Sequence, residues 1–109
     1  MEGLGRSTLP TVVIVTGSVT AEAEHVEEVE RLSLEHVERS RREPGCLLHS
    51  VHRDVEDTHR FVFVEHWTDK EALLAHFAVP ASGGFVNTVV GLATAEPSME
   101  IYEAERLTL

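Results

Sequence analysis

The chain is predicted to be an α+β domain: one antiparallel sheet with helices on one face, in the order β-α-β-β-α-(α)-β. Three observations predict it. A β-branched run at residues 11–19 precedes a long stretch whose apolar residues recur at helical spacing. Two strand-like blocks, residues 46–53 and 60–67, are joined by a short polar loop. A helix stop, Pro44-Gly45, and a helix start, Thr68-Asp-Lys-Glu71, flank that pair. The resulting order is the ferredoxin-like split pattern.

Each element has its own justification. Residues 1–9, with two glycines, read as a tail, and residues 10–109 as a single domain. After the first strand, Thr20 is placed to cap a helix running to about residue 42, with Val26, Val29, Leu32 or Ser33, and Val37 on its apolar stripe. Glu22, Glu24, Glu27 and Glu28 crowd its start and Arg39, Arg41 and Arg42 its end, each matching the sign of the helix dipole there. The strands 46–53 and 60–67 form a hairpin over the loop 54–59. The capping box opens a short helix, residue 69 to about 79. Residues 80–84 read as a break, 85–95 as a weakly helical apolar stretch, and 99 to about 107 as the last strand.

Length and charge exclude several functions. With 109 residues there is one core and room for one small pocket, not for a Rossmann pair or a TIM barrel. Lys and Arg number 9 against 19 Asp and Glu, a net charge of −10, which repels phosphate backbones and anionic lipid. Neither nucleic acid nor membrane is expected as a partner. Residues 9–19 followed by Ala21-Glu22-Ala23 superficially resemble a secretory signal. Pro10, Gly17 and the run Val12-Val13-Ile14-Val15 make a strand the better reading. Cys46 is the single cysteine, so no disulfide framework forms within the chain, which fits a reducing cytoplasm.

The strand faces carry a further expectation. In strand 60–67, Phe61, Phe63, Glu65 and Trp67 share one face and Val62, Val64 and His66 the other, so both faces are largely apolar. Helices cover only one. The other face would form an exposed apolar patch in a monomer, and a homodimer packing sheet on sheet resolves it.

Four segments then point to a family. Glu43-Pro-Gly-Cys-Leu47, Val51-His-Arg-Asp54, Arg60-Phe-Val-Phe-Val-Glu-His-Trp67 and Glu71-Ala-Leu-Leu-Ala-His-Phe77 together resemble the antibiotic biosynthesis monooxygenase family, over about residues 11–106. The resemblance implies a ferredoxin-like protomer paired into a dimeric α+β barrel. It also implies one of several activities: cofactor-free oxygenation of quinols or polyketide-derived aromatics, haem degradation, or isomerisation of a small signalling molecule. Haem-degrading members carry an Asn on the first strand, a helical Trp and a haem-ligating His. Here the first strand lacks Asn, His76 stands at the Trp position and the ligand position falls near Val86, so haem cleavage is disfavoured. The second His of many quinol-oxidising members is replaced by Val79-Pro80-Ala81-Ser82-Gly83-Gly84.

The candidate site residues follow. His76, near the inner face of its helix with Ala72, Leu73 and Phe77, is the candidate base, because an imidazole exchanges protons near neutral pH. Trp67 reads either as a pocket wall with a free indole N–H or as a core residue closing the sheet edge. Glu65, between Phe63 and Trp67, is a substrate contact or half of a dimer-interface pair with an arginine. His49, Phe77, Phe85 and Asn87 complete the substrate-binding set, Asn87 alternatively as a helix cap. His52 and His59 fall on the hairpin, and His25 and His36 lie eleven residues apart on one helix, too far to share an ion. No spacing matches a zinc or non-haem iron motif, and Gly83-Gly84 lacks the Lys of a phosphate loop. The expected function is a dimeric monooxygenase that needs no cofactor and acts on a small aromatic such as a hydroquinone. The competing readings are a non-catalytic ligand-binding module and an isomerase of a small metabolite.

Overall fold

A computed structural model describes residues 11–109; the expected tail at residues 1–9 lies outside them. The elements are β1 (Thr11–Thr20), α1 (Val26–Ser40), β2 (Cys46–Arg53), β3 (Arg60–Trp67), α2 (Lys70–Ala78), α3 (Pro80–Val90) and β4 (Ser98–Glu105), with a 3-10 turn at Ala23–His25. All strand pairs are antiparallel and the sheet order is β2-β3-β1-β4, as the ferredoxin-like pattern requires.

Three boundaries differ from expectation. Thr20 does not cap α1, because β1 keeps pairing through Thr20↔Arg60 and Ala21 bridges to Ala93. The backbone there belongs to the sheet, and α1 starts only at Val26 after the 3-10 turn. At α2 the capping residue is Asp69, whose carboxylate accepts from the Ala72 amide at 2.8 Å, rather than Thr68. Residues 80–84 are not a break: α3 begins at Pro80, whose missing N–H suits a first helical position. Gly45 makes the turn into β2 at φ 82°, and a Cβ there would come within 2.5 Å of the Ala72 Cβ. Only glycine meets both demands.

Register sets the site. His49 pairs with Glu65 and Glu65 with Val15, so three neighbouring strands present these side chains in one row toward the helices. Two apolar clusters flank the row: Val19, Val29, Val37, Phe61 and Phe63 on one side, Val13, Val15, Trp67 and Leu73 on the other. Glu65 stands on β3 between Phe63 and Trp67, at the seam of the two. The opposite face of the sheet carries Val12, Ile14, Val62, Val64 and His66, each half-buried, with no element of the described residues over it. Among the described residues no single helix is long and apolar enough to cross a membrane.

Candidate active site

The site is assembled from α1, the turn after it, β2, β3 and α2. On α1 the inward stripe is Val26, Val29, Ser33, His36, Val37 and Ser40, the i, i+3, i+4, i+7 positions of one helix face. Ser33 and Ser40 are wholly buried there, and small side chains let the helix approach the sheet closely. That approach brings the His36 ring to 5.2 Å from His49 on β2 and 5.4 Å from His76 on α2, centroid to centroid. His49 and His76 are themselves 5.5 Å apart. All three rings are buried.

Charged groups order this cluster. Glu43, just past α1, places Oε1 2.7 Å from His76 Nδ1. A carboxylate only accepts, so Nδ1 carries a proton, and in the neutral imidazole the lone pair is on Nε2. That nitrogen looks toward Glu65 Oε1 at 3.9 Å. Glu65 in turn accepts from the Trp67 indole N–H at 2.9 Å and lies 3.4 Å from His49 Nε2. Burial by itself would raise the Glu65 carboxyl pKa, but His49, the indole N–H and His76 outweigh it and hold the group below its usual range. His36 accepts at Nδ1 from Arg39, 3.2 Å away. Burial, the other two histidines and Arg39 push its pKa down to about 3, so it is neutral under physiological conditions.

Above the cluster opens a cleft of about 310 Å³. His36, Glu65, His76 and Ser82 give it polar lining, and most of the remaining wall is apolar, from Val15, Phe63, Phe77, Phe85 and residues of α3 and β4. Phe85 stacks flat on His36 at 4.2 Å with an interplanar angle of 5°. Ser82 is buried and its hydroxyl has no protein partner among the described residues, so it is available to a ligand. The volume suits a ligand of one to three fused rings.

The sequence-derived candidates divide accordingly. His76, Glu65, Phe77 and Phe85 all line the cleft. His49 is 1% exposed and sits behind them, beside Glu65 and the other two rings. Trp67 is fully buried and its N–H is taken by Glu65, so it is not a wall with a free indole but the group that aims the carboxylate. Glu65 finds its partners within its own chain, correcting the expected arginine across a dimer interface. Asn87 is exposed on α3 and does not line the cleft, and it stands within the helix rather than at either cap. Three residues were missed: His36, Glu43 and Ser82. His36 had been measured only against His25, whereas its neighbours come from β2 and α2. Its position on the stripe with Val29, Ser33 and Val37 was the available signal. Glu43 and Ser82 carried none, since the one meets the site through the turn after α1 and the other through the packing of α3.

With this geometry in place, comparison with other proteins locates the chain. The family model described as antibiotic biosynthesis monooxygenase matches residues 12–88. An uncharacterised protein of Synechocystis is 34% identical over 98 residues, covering 89% of this chain and 67% of that protein. A crystal structure from Deinococcus radiodurans, described as a candidate antibiotic biosynthesis monooxygenase, superposes with a TM-score of 0.84 at 30% identity, covering 89% of this chain and 96% of that one. A Pseudomonas aeruginosa structure gives a TM-score of 0.77 at 29% identity, over 94% and 100% of the two chains.

Proposed function

The chain belongs to the antibiotic biosynthesis monooxygenase family, and from that premise we propose that it oxygenates a small, electron-rich aromatic such as a hydroquinone or an anthrone with O₂, without a cofactor. The observation that carries this reading is the Glu43–His76 pair at the floor of an apolar cleft. With Nδ1 engaged by a carboxylate, His76 takes a phenolic proton on Nε2, and Glu43 and Glu65 stabilise the imidazolium that forms. The resulting phenolate is electron-rich enough to reduce O₂ directly. One oxygen atom enters the ring carbon and the other leaves as water, the four electrons coming from the substrate. Phe85 and Phe77 hold the ring, and the Ser82 hydroxyl meets its second oxygen. The apolar walls exclude water, which strengthens each of these polar contacts.

Residues 10–109 work as one domain, and the active unit is a homodimer joined through the uncovered face of the sheet. A face carrying Val12, Ile14, Val62 and Val64 at half exposure supports this. The lone Cys46 fits a reducing, cytoplasmic setting. Oxygen consumption over a panel of hydroquinones and anthrones tests the chemistry. Uptake above buffer, lost in His76→Ala and reduced about 10²-fold or more in Glu43→Gln, is expected. Uptake undiminished in His76→Ala overturns it.

A further inference from the structure

We propose that His36, His49 and His76 form a chelating site for one divalent transition-metal ion of the zinc class, with Glu65 as a fourth donor. One nitrogen from each imidazole lies within 4.8 Å of the others, and all three residues are buried. Three nitrogens about 2.1 Å from a tetrahedral zinc stand roughly 3.4 Å apart, so the rings need to close by at most about 1.4 Å. Neither nitrogen of His49 has a hydrogen-bond partner among the described residues, though the side chain is fully buried. An orphaned buried imidazole is costly unless something binds it. His76 shows the complementary feature: Glu43 takes the proton of Nδ1 and leaves Nε2 open, the carboxylate–histidine pairing that orients metal ligands.

The remaining groups fit the same ion. Glu65 Oε1 lies 3.4 Å from His49 Nε2 and 3.9 Å from His76 Nε2, on the cluster's side of β3. The Trp67 N–H fixes its orientation as a donor to a ligating carboxylate does. Glu43 and Glu65 place two carboxylates against the histidines, which suits a cation between them. The Arg39 guanidinium donates to both His36 Nδ1 and the Ala81 carbonyl, the latter at 3.3 Å, so it keeps a partner whichever His36 nitrogen turns to the ion. Imidazole with carboxylate selects Zn²⁺, Co²⁺, Ni²⁺ or Cu²⁺ over Mg²⁺ and Ca²⁺. The cleft, which reaches His36 and His76, is the entry path. The ion takes the lone pair that the oxygenase reading assigns to the base, so metal-bound and base-competent forms exclude one another.

Chelator-treated protein titrated with Zn²⁺ by calorimetry, and with Co²⁺ followed by its visible absorption, tests the site. One ion per chain, a Zn²⁺-dependent rise in melting temperature and intense Co²⁺ bands of a low-coordinate site are expected. Glu43→Gln, which keeps all the ligands, should weaken Zn²⁺ binding about 10–100-fold, and His49→Gln more. The exposed pair His52→Gln and His59→Gln should leave it unchanged. No melting shift in the unsubstituted protein, or an affinity untouched by both Glu43→Gln and His49→Gln, overturns the site. Oxygen uptake separates the two proposals: inhibition by stoichiometric Zn²⁺ supports both, whereas uptake sustained by the Zn²⁺-loaded protein keeps the site and removes His76 as the base.

Discussion

The two faces of this one sheet are built from alternate residues of the same strands, yet they solve opposite problems. On the covered face β3 buries Phe61, Phe63, Glu65 and Trp67, and a carboxylate survives there because an indole N–H and two imidazoles surround it. On the uncovered face Val62, Val64 and His66 are only half-buried, and no described element packs on them. The covered face therefore holds polar groups that need partners, and the uncovered face apolar groups that need a cover. Polar groups placed inside with their partners form the candidate site, and the apolar groups left outside form the face on which the proposed dimer rests.

The sharpest way to break the contrast is to remove the carboxylate. Glu65→Ala strips the acceptor from a buried indole N–H and the counter-charge from two buried histidines, and should lower unfolding stability by about 3–5 kcal/mol. Chemical denaturation measures it, and a loss under about 1 kcal/mol would mean the network is not what holds this face together.

Acid should weaken the same face. His36 titrates at about 3 in the folded protein against 6.5 for a free imidazole, so between those values the unfolded chain binds the extra proton. Its contribution is complete above pH 6.5 and is lost as pH falls toward 3. Glu65, held below its usual range, acts with the same sign at the acid end. For metal-free protein a loss of a few kcal/mol across that window is expected in urea midpoints, each pKa unit being worth about 1.4 kcal/mol. His36→Gln should flatten the slope, and an unchanged slope would contradict the assignment.

A smaller effect belongs to the turn that delivers Glu43 and β2. Gly45→Ala imposes a side chain at φ 82° and against Ala72, which should cost about 1–3 kcal/mol and slow turnover by displacing Glu43 from His76. Thermal melts and kcat together check it.

The least effect on the protomer itself is expected on the uncovered face. Val64→Asp should leave the far-UV spectrum unchanged while sedimentation reports half the mass, because a desolvated carboxylate without a partner cannot sit between two sheets. A dimer that persists in this variant, or a monomer in the unsubstituted protein at micromolar concentration, would refute the interface.

Much of this contrast was legible in the chain. Period-2 alternation assigned Phe61, Phe63, Glu65 and Trp67 to one face, Pro44-Gly45 stopped the helix, and the residues following Trp67 opened the next. Those are local rules, in which a residue is judged against neighbours two to four positions away. His36 obeyed the helical rule as well, three residues beyond Ser33 and seven beyond Val29, yet its chemistry was hidden because its partners are thirteen and forty residues further on. The start of α1 was misplaced for a related reason. Thr20 is a good cap by its side chain, but its backbone was claimed by Arg60 across the sheet, a pairing no local pattern records.

The sequence by itself therefore determined the class of fold, the strand faces and the identity of His76 and Glu65 as the polar residues of an apolar neighbourhood. Hydrophobic period and turn chemistry depend only on nearby positions, so they can be read in one dimension. The tertiary structure alone decided that three histidines from α1, β2 and α2 meet, that Glu43 orients one of them, and that Trp67 serves the carboxylate rather than a ligand. Those facts depend on angstrom-scale distances between elements, and packing of the whole core sets them.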